Sequence, residues 1–277
     1  MKYADFIIDR VNEYNDTKIE GVMTKIQGIL EQTRLKFGRI VEEKGLLESR
    51  IRVTARILTP EEAIGSPQRR DYPIIIGREK MIEAQFLGAR GHAFTDMPTD
   101  FEGTLSEVLS LPMETNSQRA IYLATLNAVL RFLGLADGTV HCKDEDPERC
   151  ALHIAEYIQN RWGQIRLGLL GLNPAIAERM IKTFGRDMVV ITDRDRRNIG
   201  VEKYGVVVWD GFTRTEELIR QADVILMTGT TLGNHSFDAI YELINTYEKP
   251  YLCYGVTVAG ISALVGIPRI CPFSANE

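Results

Sequence analysis

Ala222 to Ile240 read ADVILMTGTTLGNHSFDAI, an unbroken apolar run followed at once by small and polar residues. The run is short and lacks polar alternation, which suits a strand covered on both faces. Gly229, Thr230, Thr231, Gly233 and Asn234 then gather hydroxyl, amide and glycine backbone groups where a helical stretch begins. Four further runs share this grammar: IRLGLL, MVVIT, GVVVW and PYLCY, each separated from the next by helical sequence. Strand and helix in alternation predict a mainly parallel sheet with helices on both faces. The fold class expected is therefore α/β, with a Rossmann-like domain over residues 161–277, in which Arg166–Leu170 lies beside Asp223–Met227.

In a sheet of order 3-2-1-4-5, the loops after the first and fourth strands flank the point where ligands bind. After the first strand comes GLNPAIAERM, where Asn173 suits a helix cap and Pro174 the first helical position. Aligning Gly171 with a dinucleotide fingerprint puts Asn173 and Ile176 where glycines are needed, which disfavours ordinary NAD binding. The second strand ends in ITDRD, so Asp193 occupies the place of a ribose-binding acid, or of a solvated turn. Gly171, Asn173, Asp193, Gly229, Thr230, Thr231 and Asn234 are thus the ligand-binding candidates of this half, with capping as the alternative role of the amides. An anionic or strongly accepting ligand group would face the helix after Asn234.

The first half has a different grammar. Ile19, Val22, Met23, Ile26, Ile29, Leu30, Phe37, Ile40 and Val41 share one helical face, expected to pack on the protein's own sheet or, alternatively, to form a homodimer seam. RIRVTARIL, from Arg50 to Leu58, alternates as a half-buried strand does, and YPIII, MIEAQFL and GHAF follow as an antiparallel meander around a turn at Gly88–Gly91. Asn116 is the expected N-cap of a buried helix that stops at Gly134, and Asp146 that of a second helix with Pro147 at its first position. An α+β domain over residues 1–160 is the expectation. Its candidate site residues are His92, Thr95 and Asp96 at a strand end, and Asn127, which with Arg131 lies on the helix side lined by Ala120 and Ala124. Those small neighbours leave room for a ligand or for another backbone.

TVHCKDEDPERCALH carries His141, Cys142, Cys150 and His153, ligand types for a soft or borderline metal. Cys150 shares a face with Ala151, Ile154 and Ile158 while His153 points away, so a closed four-residue site is not expected. His92, His141, Cys142 and His235 are the metal candidates, and a divalent or heavy metal is the cofactor they admit. Such a metal would have few protein ligands, its shell completed by a chelator or water.

The 277 residues are 44% hydrophobic and 26% charged, the balance of a folded globular chain, with a net charge of −5. No basic stretch offsets that charge, which argues against a nucleic-acid partner; Arg194, Arg196 and Arg197 alternate with Asp193 and Asp195 as a solvated loop would. No export signal or spanning segment is expected, and the four cysteines suit reduced thiols. Together these predict a cytoplasmic protein without membrane partners.

GHAFTDMPTDFEGTLSEVL (91–109), ATLNAVL (124–130), TVHCKDEDPERC (139–150), ADVILMTGTTLGN (222–234) and YGVTVAG (254–260) occur in an order that resembles a prokaryotic family of unknown function assigned to heavy-metal chelation. The resemblance implies an enolase N-terminal-like domain before the Rossmann-like one, with Thr95, Asp96 and Asn127 facing Thr230, Thr231 and Asn234 across a cleft. Two departures stand out: a larger aliphatic residue is expected at Gly233, and a glycine in the place near His235. The function implied is handling of a small molecule or metal chelate between two domains. The alternative is an enzyme of condensation or hydrolysis acting on a pterin-, flavin- or siderophore-like heterocycle, with Asp96 as general base. A methyltransferase would need a glycine-rich first loop, and an α/β-hydrolase a G-x-S-x-G; neither occurs.

Overall fold

The computed structural model describes residues 28–54 and 59–276. Ile19, Val22, Met23 and Ile26 of the expected helical stripe, and the Ala55–Leu58 end of the expected strand, lie outside the described residues.

The first half builds α1 (Ile29–Glu43), β1 (Arg50–Thr54), α2 (Pro60–Ile64), β2 (Lys80–Phe86), β3 (Ala89–Thr95), β4 (Phe101–Thr104), α3 (Leu105–Leu109) and α4 (Asn116–Phe132). The strands form an antiparallel sheet of order β3-β2-β1-β4. Helix α4 lies on β2 and β3, buried at every position from Arg119 to Leu130. Gly91 explains the fit: a Cβ there would stand 2.3 Å from Ala128 N and 2.4 Å from Ala124 O. The room left by the small helix residues is therefore taken by a strand backbone. Leu30, Thr33, Phe37 and Val41 are the buried face of α1, whose first amide donates to Asp238 Oδ1 at 2.9 Å.

Four expectations need correction. Helix α4 is capped by Thr115, not Asn116: its side chain accepts from Gln118 N while Gln118 reaches back to the Thr115 N–H, satisfying two end groups at once. Tyr72–Ile76 is a turn rather than a strand, closed by Ile75 and Arg78 amides on Tyr72 O and Pro73 O; Pro73 offers no donor to a ladder. The next helix, α5 (Asp146–Trp162), has Glu145 at its cap position, with no side-chain bond, and Pro147 one place later than expected. The meander's turn sits at Leu87–Gly88, both at positive φ, so Gly91 is a strand residue.

The second half holds β5 (Leu167–Leu170), α6 (Pro174–Phe184), β6 (Val189–Asp193), β7 (Glu202–Lys203), β8 (Val206–Val207), β9 (Trp209–Asp210), α7 (Thr215–Gln221), β10 (Val224–Thr228), α8 (Thr230–Gly233), α9 (Phe237–Thr246), β11 (Tyr251–Tyr254) and α10 (Ala259–Val265). Five strands form one sheet of order β11-β10-β5-β6-β9, every neighbouring pair parallel. This is the expected Rossmann-like order, with Val224 opposite Leu167 and Met227 opposite Leu170. Side chains alternate between two cores, as a strand covered on both faces requires. Val224 and Leu226 join α5 and α6, whereas Ile225 and Met227 join α4, α7 and α9. The expected third strand GVVVW is a further correction: Val206–Val207 fold back on Glu202–Lys203, and only Trp209–Asp210 adds to the sheet. Tyr204 and Gly205, both at positive φ, make that hairpin. No helix among the described residues is long and apolar enough to cross a membrane.

Candidate functional site

The parallel strands end at a cavity of about 1110 Å³, above β5, β6, β10 and β11. Its floor begins at Gly171, whose φ of +90° and position 2.6 Å (from a notional Cβ) to Thr228 Cγ2 exclude a side chain. Gly171 N donates to Thr192 O at 2.9 Å, and Tyr254 Oη donates to Gly171 O at 3.3 Å. That last bond orients a chain of hydroxyls, because each has one proton. Tyr254 gives its proton to a carbonyl, so Thr228 donates to Tyr254 and Thr230 to Thr228, the latter at 3.1 Å. Thr231 donates to Thr228 O at 2.8 Å, and Ser236 to Asn234 Oδ1 at 2.6 Å. The hydroxyl protons of this turn are thus used internally, and the floor presents acceptor lone pairs.

The acids add to that character. Asp193 lines the cavity with its Oδ2 accepting from Leu172 N at 2.7 Å and its Oδ1 from Asp195 N at 2.6 Å. Burial raises its pKa against those hydrogen bonds. Its bond to Leu172 uses an amide that a bound phosphate would otherwise find. Glu79, which the sequence reading did not single out, faces the same space; burial, with Asp193, Asp195 and Asp96 nearby, pushes its carboxyl up to about 7. Arg78 pairs with Asp195 at 3.8 Å and donates to Asn198 Oδ1 at 3.0 Å.

The roof comes from the end of β3 and from the turn around Pro73. Phe94 and Thr95 reach the cavity, and Asp96 stands exposed beside it, accepting from Asn116 Nδ2 at 2.7 Å. Asn127 does not line the cavity: its fully buried amide donates to His92 O (2.9 Å) and Val256 O (3.0 Å) and accepts from Gly260 N (2.7 Å). It fastens the roof to the loop after β11, where Thr257 Oγ1 also accepts from Phe94 N at 3.1 Å. Arg119, equally unforeseen, ties α4 to α8 through Gly233 O at 2.8 Å. A Cβ at Gly233 would lie 3.4 Å from Phe94 O, an ordinary van der Waals contact. Arg69 anchors the Pro73 turn from below through Glu148 and Glu178.

The metal candidates separate. His92 is buried with both ring nitrogens engaged, Nε2 on Glu83 at 2.9 Å and Nδ1 accepting from His141 N at 3.1 Å. Cys142 is buried away from the cavity. His235 is exposed at the rim with φ +61°. His141 lines the cavity, its ring edge-to-face with Phe94 at 5.2 Å. Its Nδ1 lies 2.6 Å from Cys142 O, an acceptor only, so Nδ1 carries the proton and Nε2 keeps a lone pair. Burial lowers its pKa to about 4, so the ring is neutral near pH 7. Among the described residues, no group of three or more His, Cys, Asp or Glu is arranged to hold a metal ion.

Residues 160–264 match the family described as "Putative heavy-metal chelation". The match covers the parallel-sheet region, and its description is that of the family the sequence resembles. A Pyrococcus horikoshii protein of unknown function from this family superposes with a TM-score of 0.53 at 14% identity, over 87% of this chain and 85% of that one. At that identity the likeness concerns the fold alone. A second family protein of unknown function, from Desulfitobacterium hafniense DCB-2, gives 0.45 at 13% identity over 67% and 72% of the two chains. No curated protein matches the sequence.

Proposed function

We propose that the chain binds a small molecule or metal chelate in the cavity between the parallel sheet and the β3–α4 layer, and that a chelated metal meets His141 Nε2. The observation that carries this reading is the neutral His141 ring: its proton is fixed on Nδ1, its Nε2 keeps a lone pair, and the residue lines the same cavity as Glu79 and Asp193. One imidazole is too few for a bare ion, but it can complete the shell of a metal already held by a chelator. Thr95, Asp96, Gly171, Asn173, Gly229, Thr230, Thr231 and Asn234 would then contact the chelator. The acceptor-rich floor favours hydrogen-bond donors on the ligand, while Arg194, Arg196 and Arg197, which line the same cavity, suit its anionic groups.

Nickel nitrilotriacetate is a direct probe, because it leaves coordination positions open for histidine. Calorimetric titration of untagged protein should show one site lost in His141→Ala and kept in His153→Ala and His235→Ala. Binding that survives His141→Ala would overturn the proposal.

Glu79 favours a second reading, an enzyme of condensation or hydrolysis on a heterocyclic substrate. A carboxyl titrating at about 7 suits proton transfer at neutral pH better than Asp96, which is exposed and bonded to Asn116. Substrate turnover abolished by Glu79→Gln but not by Asp96→Asn would establish that reading.

A further inference from the structure

Behind the cavity, the C-terminal segment crosses α5. Phe273 packs edge-to-face on His153 at 5.1 Å and lies under the Arg149 guanidinium at 4.4 Å. These two helix residues flank Cys150, so the segment that carries Cys271 is laid over the Cys150 turn. Both thiols are buried, at 7% and 8% exposure, and they hydrogen-bond to each other. The segment is also held at fixed positions: Ile270 N donates to Cys253 O at 2.8 Å, Ala275 N to Val140 O at 2.8 Å, and Arg269 Nε to Gly255 O at 2.9 Å.

We propose that Cys150 and Cys271 are an oxidisable pair, a site at which peroxide converts two neighbouring thiols into one disulfide. Cys271 is the attacking sulfur. The hydrogen bond from Cys150 holds its pKa below the ordinary thiol range against the effect of burial, and the Arg269 charge and the Gly255 N–H add to it. The same hydrogen bond and burial hold Cys150 above that range, as its protonated partner. The Cys271 thiolate attacks one peroxide oxygen; the O–O bond breaks, and hydroxide leaves and takes a proton from solvent. The sulfenic acid formed at Cys271 is then attacked by Cys150, which gives up its proton as the S–S bond forms. The S–O bond breaks and its oxygen leaves as water. In sum, two thiols and one hydrogen peroxide give a disulfide and two waters, with two electrons passing from sulfur to peroxide. Cys253 is buried in β11, where its pKa is raised by burial alone, and takes no part. The product staples the C-terminal segment to α5.

The full chain is treated with equimolar hydrogen peroxide, denatured in N-ethylmaleimide, digested without reductant and analysed by mass spectrometry. The expected result is a Cys150–Cys271 cross-linked peptide, reversed by dithiothreitol, with Cys142 and Cys253 alkylated. The cross-link should persist in Cys142→Ser and vanish in Cys150→Ser, where Cys271 should instead carry oxygen. Alkylation of all four cysteines, or a cross-link through Cys142, would overturn the proposal. Circular dichroism of each variant separates loss of the fold from loss of the reaction.

Discussion

At the scale of single residues, Glu79 is a group whose chemistry its sequence context does not announce. It sits in REK, between a glycine turn and β2, and nothing in that local pattern marks it. Its carboxyl is set by burial that only the fold creates, and then by three acids from elsewhere in the chain, Asp193, Asp195 and Asp96. Burial raises its pKa from 4.5 to about 7, so between those values the folded chain holds a proton that the unfolded chain has released. Its contribution to stability is therefore present below pH 4.5 and lost as pH rises through 7. Glu79→Gln, which cannot ionise, should match the wild type at pH 4 and exceed it at pH 8 by about 1–2 kcal/mol, after discounting for partial solvent screening. Thermal melts at the two pH values check this; a Gln variant less stable at pH 8 would place a favourable partner on the ionised carboxylate. Asn127 and His141 show what sequence could and could not supply. Both were legible as polar residues near a site. That Asn127 satisfies three backbone groups, and that His141 has its Nδ1 proton fixed by a carbonyl, are facts of tertiary contact.

At the scale of elements, the parallel strands were legible because burial on both faces leaves an unbroken apolar run, and such runs are rare elsewhere in the chain. Val224–Met227 and Leu167–Leu170 are such runs and lie side by side. The third strand was misplaced because the edge of the sheet needs only two residues, while the apolar Val206 and Val207 are used in a hairpin. Tyr72–Ile76 has the composition of a strand but carries Pro73 at its second position, and its apolar side chains cover α5 and α6 from a turn. Helix starts were legible to within a residue, the limit being which of two adjacent polar side chains reaches back. At α4 that residue is Thr115. Thr115→Ala should cost about 1 kcal/mol in denaturant unfolding, by loss of the cap bond to Gln118 N. Asn116→Ala should cost less, since Asn116 contacts Asp96 and Arg119 without capping. The reverse ranking would return the cap to Asn116.

At the scale of the whole molecule, the site arises from how two layers meet. The strand order puts the Gly171 and Gly229 loops side by side, and the β3–α4 layer closes over them through Asn127, Arg119 and Thr257. Apolar packing is continuous across these layers: Leu126 and Tyr122 of α4 share a core with Met227 and Phe237. The central claim is that this junction holds a metal chelate against His141. Its most direct test is a crystal of the protein with nickel nitrilotriacetate, measured on both sides of the nickel absorption edge. The account predicts an anomalous peak inside the cavity, about 2.1 Å from His141 Nε2 as metal–imidazole bonds require. A peak at His153 or His235 with none at His141 would contradict it.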